Sequence, residues 1–339
     1  MPSPDFKALT YPVLVADIGG TNARFALLTD RHADPRPFDS VEVAEYPGLY
    51  EAIDAAVLVR TSHLPRSMVL AIAAPVAGDS IHITNSPWVI EPKVLMQQIG
   101  LEDVIVFNDF EALAIALPAL EERDLDKIGG GAIAGDFAKT VLGPGTGLGA
   151  AALIHAANTW IPIPGEGGHV ELGPVTEDDF EFWRHLERFQ GRVSAEWLLS
   201  GPGLVRLYRT TAAAAGETPA PLSPAEVTEA AAAGDGLAMA AVERFCRYLG
   251  RVAGDQALNF MARGGVYIAG GIAPRIGRFL KAGGFREAFE AKAPHQAIMR
   301  SIPTFLVRHE RPALMGLAAY ARTPLRFGID LSGRWWRAN

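Results

Sequence analysis

The residues with the clearest chemical potential are Asn108 and Asp109, which stand where an apolar run of residues stops. Residues 104–107 are apolar and rich in β-branched side chains, which predicts a buried strand, and apolar residues at helical spacing follow directly. Asn108 can cap that helix, so Asp109 would lie in its first turn, where the helix dipole favours an ionised carboxylate. Because ligands of open α/β sheets collect at the carboxyl ends of strands, Asp109 is a candidate general base. An Asn-Asp pair that only caps a helix is an equally good interpretation of these two residues alone.

A second candidate site is the turn that joins two apolar runs at residues 13–16 and 25–28. We expect a hairpin whose glycines can adopt positive φ and whose backbone N–H groups bind phosphate, with a hydroxyl donor added by the threonine. The aspartate would meet a magnesium ion through water, because Mg²⁺ gives up its hydration shell reluctantly. A plain hairpin turn with a surface aspartate is the alternative. The predicted contacts are Ala16, Asp17, Ile18, Gly19, Gly20 and Thr21.

A later glycine-rich turn repeats this plan. Residues 140–142 predict a strand that ends in Gly143-Pro144-Gly145-Thr146-Gly147, and residues 150–154 predict the next strand. The number of glycines favours a phosphate loop over an ordinary hairpin. Two such hairpins in separate halves suit a duplicated fold that holds a nucleotide's phosphates from both sides.

Two polar side chains, Glu166 and His169, stand three residues apart in a glycine-rich segment. A carboxylate and an imidazole can each be matched to several sugar hydroxyls, because every hydroxyl is both donor and acceptor. A metal ligand and a simple turn are the alternatives. Further along, Ser194 predicts the N-cap of a short helix and Glu196 an acid in its first turn, for which a structural role alone is sufficient. Asn85 lies in a polar loop, where a turn role fits better than a sugar contact.

Composition limits the classes of protein to which the chain can belong. Its 339 residues exceed the comfortable size of one core, which favours two lobes. A net charge of −7 and a pI near 5.7 argue against nucleic acid or an anionic membrane as the main partner. The single Cys246 cannot form an internal disulfide, no apolar run reaches the roughly 18 residues of a membrane span, and the first ten residues lack a secretion-signal pattern. We therefore expect a cytoplasmic protein.

The motif D-x-G-G-T-N-A-R at residues 17–24, together with the strand that ends in N-D-F, resembles the bacterial glucokinases, hexokinase-like kinases of the actin and hexokinase superfamily. The resemblance implies an α/β, two-lobed fold of the actin/hexokinase (ribonuclease H-like) type with a central cleft. A charged and glycine-rich stretch near residues 120–135 predicts the lobe boundary. The smaller lobe would hold residues 1–119 plus about 311–339, and the larger lobe 120–310 with helical insertions. Residues beyond 323 are expected to form a packed tail.

The resemblance also implies an activity, transfer of the ATP γ-phosphate to the 6-hydroxyl of glucose, with Asp109 as general base. It implies that ATP is held by the two hairpins, with Gly145 and Thr146 as the contacts of the second. It also implies that the strand-to-glycine junction at Gly270 and Gly271 holds the adenosine; without the resemblance, an ordinary strand-to-helix turn is an equally good interpretation of that junction. Its implied sugar contacts are Asn108, Asp109, Glu166, His169 and Glu196. A kinase for another hexose and a non-catalytic sugar sensor are the alternatives.

The chain departs from the resembled family at one position and differs from a related family in its cysteines. Family members carry Arg where Trp197 stands, beside a retained glutamate. The related repressor/kinase (ROK) sugar kinases add a cysteine-rich zinc motif after their histidine, whereas this chain has only Cys246, far from His169, so no zinc is expected. The resemblance further implies ATP as co-substrate, Mg²⁺ and a homodimer.

Overall fold

The structure, a computed structural model, describes residues 8–84 and 86–338. Asn85 lies outside the described residues. Contacts divide the chain into two compact units, the first comprising Met1–Leu120, Leu153–Pro164 and His309–Asn339, and the second Glu121–Ala152 and Gly165–Arg308. The lobe boundaries inferred from the sequence stay a prediction.

Strands and helices alternate through most of the described chain, so the predicted α/β class is confirmed. The strands are β1 Val13–Ile18, β2 Asn22–Leu28, β3 Arg36–Pro37, β4 Val41–Glu42, β5 Ser67–Ile72, β6 Ile81–His82, β7 Val89–Ile90, β8 Asp103–Asn108, β9 Leu125–Gly129, β10 Lys139–Pro144, β11 Leu148–Ala156, β12 Thr159–Gly165, β13 Val266–Ile268, β14 Thr304–Val307 and β15 Trp335–Arg337. The helices are α1 Leu49–Ala56, α2 Pro92–Ile99, α3 Asp109–Ala116, α4 Glu177–Arg184, α5 Ala195–Leu198, α6 Gly201–Ala214, α7 Pro224–Ala233, α8 Gly236–Phe260, α9 Gly277–Lys281, α10 Gly284–Glu290, α11 Gln296–Ser301 and α12 Pro312–Arg322.

The first sheet has the strand order β15-β8-β5-β1-β2-β3, with β4 also paired to β2. The central strands β1, β5 and β8 are parallel, and β1 and β2 form the predicted antiparallel hairpin. All residues of β5, and all but the last of β8, are buried, which explains their unbroken apolar runs. Helix α12 packs against α3 and β1, which covers one face of this sheet.

The second sheet has the order β12-β11-β10-β13-β14-β9. Its central strands β10, β13 and β14 are parallel, whereas β9 runs antiparallel to β14. The 25-residue helix α8 supplies much of the neighbouring core, and Cys246 lies buried on its apolar face, as its spacing predicts. None of the helices in the described ranges is both long and apolar enough to cross a membrane.

The tail after α12 is a strand of the first sheet. Strand β15 pairs antiparallel with β8, with Trp335 opposite Ile105 and Arg337 opposite Asp103. Trp335 Nε1 donates to Asp103 Oδ1 at 2.9 Å, and the neighbouring tryptophan, at position 336, lies in the core of the first unit. The expectation of a packed tail is thereby confirmed, and the tail occupies the side of β8 away from β5.

Candidate active site

Asp17 and Asp109 lie at the same end of the first sheet, because they stand at the carboxyl ends of the parallel strands β1 and β8. Ile18 lies opposite Ile72 of β5, and Ile72 lies opposite Asn108 of β8. Since neighbouring strands are about 4.8 Å apart, the Cα atoms of Ile18 and Asn108 are roughly 10 Å apart. Two acidic residues from motifs far apart in sequence therefore lie at the carboxyl ends of the parallel strands, which is where α/β proteins bind ligands.

Asn108 fixes the start of α3 and thereby the place of Asp109. Its Oδ1 accepts the N–H groups of Phe110 and Glu111 at 3.0 and 3.3 Å, and its Nδ2 donates to Ala74 O at 3.4 Å. These bonds define the orientation of the carboxamide and leave one Nδ2 hydrogen for a ligand. Asp109 is the first residue of α3 and is half-buried, and its Oδ1 accepts the Phe110 N–H at 3.0 Å.

The first hairpin turn is closed by a hydrogen bond from Gly19 N to Asn22 O at 3.0 Å. Gly19 does not use the positive φ that glycine tolerates. A Cβ there would make only an ordinary 3.5 Å contact with the Asn22 oxygen. Ala16 and Ile18 are fully buried in β1, so a contact with ATP would require their backbone to become accessible.

Asp17 faces Arg24 across the hairpin, with 3.4 Å between Oδ2 and Nη1. Burial raises the pKa of the Asp17 carboxyl, and the positive Arg24 partly opposes that rise. In the described ranges, no group of three or more His, Cys, Asp or Glu side chains is placed to hold a metal ion. A single carboxylate beside a turn that is predicted to bind phosphate nevertheless fits Mg²⁺, which commonly binds through one or two carboxylates, water and substrate phosphates.

In the second unit, the carboxylates of Glu166 and Glu196 both face Nε2 of the His169 ring. His169 Nε2 lies 3.8 Å from Glu166 Oε2 and 3.9 Å from Glu196 Oε1. These distances exceed hydrogen-bond length, so the three groups face one another without saturating one another's donors and acceptors. A hydroxyl-rich ligand could bond to each of them.

Local structure explains why Glu166, His169 and Glu196 project together. Glu166 precedes a 3₁₀ turn over Gly167–His169, which carries the imidazole round to the carboxylate. Glu196 lies in the first turn of α5, where the Ser194 side chain accepts the Trp197 N–H at 3.2 Å. The N-cap predicted at Ser194 is thus confirmed. The side chain of Glu196 is about one-third exposed, which suits contact with a bound molecule.

Glu196 also holds the second glycine-rich hairpin. Its Oε2 accepts the Leu148 N–H at 2.9 Å, while its Oε1 faces His169. A Cβ on Gly147 would lie 2.5 Å from Oε2, closer than real Cβ contacts allow. One carboxylate therefore joins the predicted sugar residues to the predicted phosphate loop, and Gly147 provides the space for it.

The strand-to-glycine junction after β13 packs against the same hairpin. Gly270 has φ +80°, and a Cβ there would lie 2.6 Å from Pro144 O. Ile272 N donates to that oxygen at 3.2 Å. Gly270 is therefore required by the close approach of the hairpin backbone, while space is open beside Gly145 and Gly271. The residues predicted to hold adenosine thus border the hairpin that is predicted to be the second phosphate loop.

The predicted site residues fall into two groups. The first unit holds Ala16, Asp17, Ile18, Gly19, Gly20, Thr21, Asn108 and Asp109, and the second holds Gly145, Thr146, Glu166, His169, Glu196, Gly270 and Gly271. Their ligand contacts stay predictions.

Comparison with known proteins adds the family to this geometry. A family model described as Glucokinase matches residues 14–324. The chain belongs to the glucokinase family. The glucokinase of Sinorhizobium medicae is 51% identical over 338 residues, which are 99% of this chain and 100% of that protein. The glucokinase of a Chelativorans species is 52% identical over 330 residues, covering 97% of this chain and 96% of its own.

Solved glucokinase structures have the same fold. The crystal structure of a glucokinase from an Antarctic psychrotroph superposes with a TM-score of 0.84 at 34% identity, over 93% of this chain and 99% of that one. A glucokinase from Balamuthia mandrillaris in complex with glucose gives a TM-score of 0.76 over 91% and 93% of the two chains. At 21% identity that second likeness shows the fold alone. The resemblance inferred from the two motifs is confirmed.

Two features of this glucokinase-family chain escaped prediction. The first is the bond from Leu148 N–H to Glu196, which joins residues 48 positions apart. The second is an ion pair between Glu111, in the first turn of α3, and Arg334 beside β15. Helical spacing could place Glu111 on the buried face of α3, but no local pattern points to a partner 223 positions away.

Proposed function

We propose that this chain is an ATP-dependent glucokinase, which transfers the ATP γ-phosphate to the 6-hydroxyl of glucose to give glucose 6-phosphate and ADP. The observation that carries the proposal is a glucokinase relative that is 51% identical over nearly the whole chain. The position of Asp109 at a ligand-binding sheet edge supports it independently of the relatives.

In the proposed mechanism Asp109 accepts the proton of the 6-hydroxyl while that oxygen attacks the γ-phosphorus in line. The N-terminus of α3 favours the ionised form of this carboxylate, which is the form that a base needs. Phosphoryl transfer depends mostly on positioning and on neutralising charge, so the main task of Asp109 is to orient the nucleophile. The remaining Nδ2 hydrogen of Asn108 can donate to the sugar beside it.

Sugar recognition is assigned to Glu166, His169 and Glu196. Two carboxylates accept hydroxyl protons, and the His169 Nε2 atom that both of them face can donate or accept according to the tautomer of the ring. A sugar that lacks a matching hydroxyl would leave one of these groups unpaired, which is a strong source of specificity. This arrangement supports recognition of a hexose by its pattern of hydroxyls.

ATP is assigned to the two hairpins and to the junction at Gly270 and Gly271. Uncovered backbone near Gly145 and Gly271 gives phosphate and nucleoside room to approach. Mg²⁺, when bound, would neutralise part of the phosphate charge. Asp17 is the residue that would hold the ion, by way of a water molecule. Zinc forms no part of the proposal. We further expect a homodimer that acts in the cytoplasm.

The test is coupled phosphorylation of a hexose panel by the purified protein with ATP and magnesium. Glucose would be compared with mannose, fructose and N-acetylglucosamine at matched concentrations. A strong preference for glucose supports the proposal. Preference for another hexose would retain Asp109 but overturn the sugar assignments, and no turnover with any sugar would favour a non-catalytic sugar sensor.

A further inference from the structure

The tail strand β15 reaches the catalytic end of β8. The backbone pairing that begins at Trp335 opposite Ile105 continues as a hydrogen bond from Val106 N to Arg334 O at 3.0 Å. This bond lies three residues before Asp109. The tail is therefore fixed directly beside the residues that hold the proposed base.

The Arg334 side chain crosses from the tail to the first turn of α3. Its Nη1 donates to Glu111 Oε2 at 2.7 Å, and its Nε donates to Asp330 O at 3.0 Å. Its Cζ lies 5.8 Å from the centre of the Phe107 ring. The Glu111 side chain is only 1% exposed and that of Arg334 is 18% exposed. The ion pair is thus shielded from water, and the guanidinium is held on several sides.

Glu111 lies in the same helical turn as Asp109, two residues further along. Its backbone N–H is one of the two that bond to the Asn108 cap. Burial raises the pKa of the Glu111 carboxyl, and the charge of Arg334 opposes that rise. Without the guanidinium, this carboxylate would have to take up a proton or turn towards water. Either change disturbs the turn that begins with Asp109.

We propose that Arg334 is a positioning residue for phosphoryl transfer, because its ion pair with Glu111 holds the first turn of α3 and so keeps the Asp109 carboxylate in place for the sugar hydroxyl. This inference rests on the proposed function, in which Asp109 is the general base. The matched family region ends at residue 324, so Arg334 lies beyond it.

The test compares Arg334→Ala with Arg337→Ala, a matched control in the same strand. Arg337 Nε donates to Asp103 Oδ1 at 3.2 Å, at the opposite end of β8, roughly 17 Å of strand away from Asn108. We expect Arg334→Ala to lower kcat about 10- to 100-fold with KM for glucose changed less than about 3-fold, because misplacement by about 1 Å can cost this much. Arg337→Ala should keep kcat within about 2-fold at a comparable loss of Tm.

Equal kcat values for the two variants, measured below both melting temperatures, would mean that the tail only stabilises the fold, and the inference would be wrong. Arg334→Lys, which retains the charge but lacks the planar fork, should restore part of the lost kcat. If Arg334→Ala does not fold, the double variant Glu111→Gln with Arg334→Gln is measured in its place, because it leaves no unpaired buried charge. A wild-type kcat in that double variant would equally overturn the inference.

The Asp109→Asn background separates this inference from the proposed function. If Arg334 acts through Asp109, adding Arg334→Ala to Asp109→Asn should lower kcat by less than about 2-fold more. A full additional loss would show that Arg334 acts by another route. Normal turnover in Asp109→Asn alone would instead remove the proposed base, whatever Arg334 does.

Discussion

Replacing Gly147 by alanine should lower kcat/KM for glucose, because the added methyl group displaces the carboxylate of Glu196. The added Cβ would stand 2.5 Å from Glu196 Oε2, whereas ordinary contact begins near 3.4 Å, so the carboxylate must withdraw by about 0.9 Å (3.4 − 2.5). That movement breaks its 2.9 Å bond with Leu148 N–H and changes its distance from His169. A hydrogen bond to a charged group contributes about 1.5–3 kcal/mol, and the end of a flexible side chain moves at low cost, so the loss should lie at the lower end of this range and kcat/KM for glucose should fall about 10-fold.

The assay is the initial rate against glucose concentration at saturating ATP. Gly173→Ala is the matched control, because a Cβ there meets nothing within 4 Å and the glycine lies in the same unit. In a Glu196→Ala background the clash disappears, so adding Gly147→Ala should cause little further loss. A Gly147→Ala enzyme with kcat/KM within about 2-fold of the wild type, or a loss that adds fully to that of Glu196→Ala, would refute the reasoning.

Three further changes test other parts of the structure. Asp109→Asn should lower kcat about 100-fold or more at unchanged Tm, and near-normal turnover would remove it as the base. Gly270→Ala should lower the free energy of unfolding, measured by denaturant titration, by about 1–3 kcal/mol or more, because alanine would be strained at positive φ and its Cβ would lie 2.6 Å from Pro144 O. Gly271→Ala, whose Cβ would meet nothing within 4 Å, should change it little. Burial raises the pKa of Asp17, so its contribution to stability is fully present below the unfolded pKa of about 3.9 and is lost as pH rises through the folded pKa. The Tm advantage of Asp17→Asn over the wild type should therefore grow from pH 4 to pH 8, and a constant or shrinking difference would contradict this.

Local signals in the sequence predicted the secondary structure around several candidate site residues. The Asn108 cap, the Ser194 cap and the antiparallel hairpin of β1 and β2 depend on residues within a few positions of one another, and all three are confirmed. An unbroken apolar run likewise predicted β8 as a buried strand. These features follow from propensity and periodicity, which a single sequence displays directly.

Other features depend on residues that only the fold brings together. At position 147 an added Cβ would displace the Glu196 carboxylate, and at position 270 the backbone of Pro144 makes glycine necessary. Gly19 differs from these two positions, because its φ is not positive, an added Cβ would make only an ordinary contact, and its N–H closes the turn by bonding to Asn22 O. A glycine run indicates that backbone is exposed or crowded, but it does not show which neighbour makes the glycine necessary.

The pairing of β8 with β15 also has a consequence during synthesis of the chain. Asp103 and Trp335, which bond across these strands, are 232 positions apart. At about 5–20 residues per second, a ribosome needs roughly 10 to 50 s to make the intervening chain. Throughout that interval the backbone N–H and C=O groups on one side of the apolar strand β8 have no β15 to pair with and can pair with a strand of another nascent chain. We therefore expect truncated chains that lack β15 to aggregate when they are released. We also expect chaperones to bind nascent chains chiefly at the unpaired side of β8.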